Sequence, residues 1–92
     1  MWNNAPYIVT VEWYQLSPAV NTDLSMPVYT KPHRSARAAA RELASIIRAK
    51  TKVAQAIRRR IPLGQGGRFM IRDALGNSYP LNTFRRTHII NS

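Results

Sequence analysis

Apolar positions in this chain change period twice. Residues 7–16, YIVTVEWYQL, are β-branched or aromatic almost throughout, and they alternate. Tyr7, Val9, Val11 and Trp13 fall on one side and Thr10, Glu12 and Tyr14 on the other, the pattern of a strand with one face on a core. Trp13 is expected as a core anchor, and Tyr14 as a surface contact. Residues 17–26 read as a loop, with Pro18, Asn21 and Asp23 as turn residues. Residues 27–31, between two prolines, read as a short edge strand.

From residue 34 the period becomes helical. Between Pro32 and Pro62 the chain is rich in Ala, Arg, Leu and Lys, all strong helix formers, with Ser35 placed to cap the start. At 100° per residue, Ala36, Ala39, Ala40, Leu43, Ile46, Ile47, Ala54, Ile57 and Ile61 lie within about 60° of Leu43. That is a core-facing stripe. Arg34, Arg37, Arg41, Arg48, Lys52 and Arg59 lie between about 120° and 180° from it, with Arg58 and Arg60 beside the last. Lys50 interrupts the stripe and Thr51 follows it, so a break or kink near Ala49, with Thr51 as a new cap, is expected. Unbroken, the helix would be about 40 Å long, a great length for so small a domain.

Gly64-Gln65-Gly66-Gly67 follows the helix and opens a strand. Phosphate-binding glycine loops follow a strand and open a helix, so this one reads as a flexible connector. Residues 68–73 form a strand with Phe69 and Ile71 inward, Leu75-Gly76-Asn77 a hairpin turn, and residues 78–84 the return, with Pro80 placing it at an edge or bulge. Residues 87–90 read as a short last strand. The expected fold is a single α+β domain over residues 1–92. An antiparallel sheet of four to five strands, in the order β-β-α-β-β, packs on one long amphipathic helix, broken or kinked near Lys50.

Charge adds a partner class. The net charge is +10, and it is concentrated. Residues 1–30 contain two acids and no Lys or Arg, whereas residues 31–60 contain ten Lys or Arg against Glu42 alone. Ordinary solvated faces mix both signs; this one suggests an anionic partner. The candidate contact residues are Arg34, Arg37, Arg41, Arg48, Lys52, Arg58, Arg59 and Arg60. Arginine's planar fork suits bidentate contact with phosphate or carboxylate. Only Gln55 accompanies them as a base-reading type, so binding without sequence preference is expected.

Catalytic and metal chemistry find little footing. Glu12, Asp23, Glu42 and Asp73 fall on different predicted elements. His33 and His88 have no second ligand type beside them, and His33 reads as an ordinary surface residue. No enzyme activity, cofactor, metal or small-molecule substrate is expected. The absence of cysteine suits a reducing cytoplasm. The start, Met1-Trp2-Asn3-Asn4, lacks the basic and apolar runs of a secretory signal, and no apolar run is long enough for a membrane span. A membrane-surface role is the weakest reading, because the apolar stripe lacks Trp and Phe.

With these elements placed, the chain resembles small phage-encoded anti-CRISPR proteins. The resemblance is architectural. An extended N-terminal segment (7–16) and a short strand (28–31) lead into a Ser/Ala/Arg helix start (35–43), and a hairpin (68–84) closes the domain. It implies an inhibitor that docks on a crRNA-guided surveillance complex, as the type I-F inhibitors do, and blocks hybridisation to target DNA in the cytoplasm of an infected bacterium. Many such inhibitors are acidic DNA mimics. This chain is basic, which points instead to guide RNA or to an acidic protein surface. The alternative is a stand-alone, sequence-nonspecific DNA- or RNA-binding accessory protein.

Overall fold

A computed structural model describes residues 5–16 and 24–90; most of the loop expected at 17–26 lies outside the described residues. Strand β1 (Tyr7–Tyr14) is the spine of a four-stranded antiparallel sheet ordered β2-β1-β3-β4. β2 is Ser25–His33, β3 is Gly66–Arg72 and β4 is the pair Ser78–Tyr79. Val9 lies between Lys31 and Ile71, and Val11 between Tyr29 and Phe69. A bulge at Val11/Glu12 shifts the β1–β2 register. Pro27 and Pro32 are tolerated because β2 is an edge.

Helix α1 (Ala36–Arg48) covers one sheet face. Ser35 Oγ accepts the Ala38 N–H at 3.0 Å, satisfying one of the otherwise orphan donors of the first turn. Leu43, Ala39, Ala40 and Ile46 join Val9, Val11 and Ile71 in one buried cluster. The alanine stripe lets helix and sheet approach closely, and Leu43, fully buried, contributes about 1.5–3 kcal/mol of transfer free energy. Two expected core positions differ. Ile47 is 37 % exposed, at the last turn of α1. Trp13 is only half-buried and stands outside the cluster, since β1 runs on beyond the helix's footprint.

The long helix is not present; two short ones replace it. Ala49 turns left-handed (φ 51°), its N–H bonding the Ile46 carbonyl while the Lys50 N–H reaches Ser45. This is a Schellman ending with alanine where glycine is usual. Thr51 then caps α2 (Lys52–Arg58), its Oγ1 accepting the Ala54 N–H at 3.0 Å. The reversal keeps Lys50 out of the core and returns Ala54 and Ile57 to it. Left-handed backbone is unfavourable for a residue carrying a Cβ, so Ala49→Gly should stabilise the protein by about 0.5–1 kcal/mol. Differential scanning calorimetry checks this, and a lowered melting temperature would contradict the break geometry.

The glycine segment is not a free connector. Gly66 and Gly67 belong to β3, opposite Tyr14 and Trp13. A Cβ on Gly66 would strike the Tyr14 ring, which also carries the Arg68 guanidinium 4.9 Å from its centroid.

The C-terminal segment also departs from the expected order. The return strand stops after Tyr79. Pro80 opens a short helix α3 (Leu81–Arg85), and Arg86–Ile90 forms a π-helical turn where a fifth strand was expected. Phe84 is the reason: helical geometry drops its ring into the core at 0 % exposure. Tyr7 meets that ring edge-on at 5.5 Å, and His88 stacks on it at 4.4 Å. Thr87 donates to the Thr83 carbonyl at 3.0 Å, and Tyr79 donates to Asp73 Oδ2 at 3.1 Å, 3.9 Å from His88 Nε2. Burial pushes the Asp73 carboxyl up, but the Asn77 N–H, the Tyr79 hydroxyl and the Leu75 N–H outweigh it and hold the pKa below its usual value. No helix among the described residues is long and apolar enough to cross a membrane.

Candidate nucleic-acid interface

On α1, Arg37, Arg41 and Arg48 are four and seven residues apart, and so project from one side of the helix. The C-terminal turn packs alongside, and the two walls enclose an open cleft of about 440 Å³. Its floor includes Ala40 and Ala44, whose short side chains leave room between the walls. Arg85 stands on the opposite wall, and Lys50, brought round by the Ala49 reversal, stands at one end. No acid among the described residues lines the cleft.

These five cations have no counter-ion among the described residues. Among the described residues, Glu42 contacts His33, Glu12 forms an ion pair with Arg68, and Asp73 lies against His88. Every described acid is therefore engaged elsewhere. Like charges gathered this closely repel one another, and an arriving anion relieves that repulsion. Guanidinium groups on both walls suit a ligand with repeated oxyanions.

The predicted ridge is thus divided. Arg37, Arg41 and Arg48 come together as one wall. Arg34 precedes the helix cap, while Lys52 and Arg59 stand exposed at the two ends of α2. Arg58 and Arg60 have structural partners. Arg58 donates to the Ile47 carbonyl at 2.6 Å and lies over the Phe69 ring, tying α2 back to α1. Arg60 donates to the Val28 carbonyl at 3.0 Å, beside the β2 bulge. Lys50 and Arg85 escaped the sequence reading. Lys50 was legible as an interruption of the stripe, but Arg85 fell between the two expected strands, 78–84 and 87–90.

Comparison with protein-family models, with curated proteins and with solved structures finds no match for this chain.

A second polar cluster lies across α1 from the cleft. Glu42 receives the Tyr29 hydroxyl on Oε2 and pairs with His33 Nε2 through Oε1, both at 2.6 Å. His33 is therefore not an isolated surface residue: it ends β2, which the cluster ties to α1. Burial, then the hydrogen bond to Glu42 and its negative charge, raise the Tyr29 pKa well above the usual tyrosine value, with Arg60 opposing. The unfolded phenol ionises near pH ~10, while the folded one keeps its proton to higher pH. Above that pH the folded state holds more protons, so stability falls as pH rises. Chemical denaturation of Tyr29→Phe and parent between about pH 9 and 11 should show a shallower decline for the variant. Identical slopes would mean that Tyr29 is not held by Glu42.

Proposed function

We propose that this protein is a non-enzymatic binder of nucleic-acid phosphates, which it grips in the cleft between α1 and the C-terminal turn. One observation carries the reading: among the described residues, five Lys and Arg side chains share a cleft that no acid lines, while the acids are engaged elsewhere. Among the described residues, Ser45 is the sole hydroxyl on the lining, with no histidine or carboxylate on that lining to activate it, which supports binding rather than catalysis. The cleft offers few groups for base edges, so the grip is independent of sequence. The resemblance to anti-CRISPR proteins supplies the setting: a guide RNA within a surveillance complex, in the cytoplasm of an infected bacterium, with target hybridisation blocked by the docked protein.

The test is a fluorescence-anisotropy titration with labelled RNA across a salt series, repeated with an assembled crRNA-guided complex. Engagement of four or five phosphates gives a slope of log K against log salt of about −3 to −4. Binding that is absent, or insensitive to salt, would sink the proposal. Tighter binding to the assembled complex than to its naked guide RNA supports the inhibitor. Equal binding supports the stand-alone accessory protein.

A further inference from the structure

Beside the basic cleft lies a second one, of about 640 Å³, between the end of α1, strand β3 and the start of α3. Its apolar lining includes Ile47, Phe69, Pro80 and Leu81, and its cations are Arg48, Arg85 and Arg86. Arg48 and Arg85 line both clefts, so the two adjoin. Ile47 was expected in the core and is 37 % exposed here. Phe69 is held in place: Arg58, anchored on the Ile47 carbonyl, lies over its ring.

We infer that this second cleft is a slot for an unstacked nucleobase, and hence that the ligand is single-stranded. The inference rests on the phosphate-binding reading above and adds the class of nucleic acid. Cations at the rim select an anion, and an apolar, partly aromatic lining selects a flat, poorly hydrated group attached to it. A nucleotide combines the two. A strand with its phosphates on Arg48 and Arg85 brings the adjoining base to Ile47 and Phe69. A duplex cannot make this contact, because its bases are paired and stacked inside. The size lies within the range of small-ligand sites.

The test compares oligouridylate, an abasic strand of the same length and charge, and duplex RNA, each in a salt series. Oligouridylate should bind about 5- to 150-fold more tightly than the abasic strand, the span of one stacked base, with the same salt slope. The duplex should do no better than the abasic strand. Ile47→Asn, at an exposed position, should remove the preference for oligouridylate while leaving abasic binding unchanged. Equal affinity for oligouridylate and the abasic strand, with the salt slope intact, would overturn the base slot and leave the phosphate grip standing. No binding of any of the three would remove the phosphate grip and the slot together. Tighter binding of an acidic, leucine-rich peptide than of every oligonucleotide would also overturn the slot.

Discussion

Replacing Phe84 by alanine should destabilise the protein by about 3–5 kcal/mol, the largest loss expected from any single side chain here. Phe84 is fully buried and the largest such side chain described. Its ring is held edge-on by Tyr7, tilted against Tyr79 and stacked by His88. Truncation forfeits the transfer free energy, leaves a cavity, and loses aromatic pairing of about 0.5–1.5 kcal/mol per pair. A domain of this size has only about 5–15 kcal/mol in total. The urea midpoint should therefore fall steeply, and the C-terminal turn should detach from α1. Because that turn is one wall of the basic cleft, the variant should also bind RNA more weakly. A urea midpoint equal to the parent's would place Phe84 outside the core and contradict the C-terminal architecture.

Reversing two charges on the opposite wall should do the converse, abolishing binding while sparing the fold. Arg41 and Arg48 are exposed, and their side chains make no ion pair or hydrogen bond among the described residues. Arg41→Glu with Arg48→Glu should leave thermal stability within about 0.5 kcal/mol and relieve some repulsion within the cleft. Each lost charge-assisted contact is worth about 1.5–3 kcal/mol, so RNA affinity should fall by about 100-fold or more. The salt slope should flatten by about two units. Lys52→Glu with Arg59→Glu makes the same change in net charge outside the cleft and should cost far less. Equal losses for the two pairs would show that net charge, rather than the cleft, governs binding.

The periods of the chain carry local structure because they are short-range. Alternation in residues 7–16 marks β1 and its core residues Val9 and Val11, and the Ser35 cap, the alanine stripe and Leu43 mark α1. The break at Ala49 was legible in Lys50 and Thr51, since a stripe cannot carry a lysine into a core. Composition alone shows the imbalance of charge: ten cations and one acid over residues 31–60.

Tertiary structure decided the rest, for reasons that no local pattern contains. Residues 78–84 and 87–90 read as strands, and burial of the Phe84 ring against Tyr7 selected helix after Tyr79 instead. That choice placed Arg85 opposite Arg37 and Arg41, and so turned a charged ridge into a cleft. The reversal at Ala49 sent Arg58 and Arg60 to backbone carbonyls at Ile47 and Val28 and brought Lys50 into the cleft. Glu42, the lone acid of the basic stretch, faces Tyr29 and His33 across the core edge rather than neutralising the arginines. Sequence determined that the protein is basic and which side of α1 is apolar. The distance between walls, and hence which cations act together, depends on how segments far apart in the chain pack.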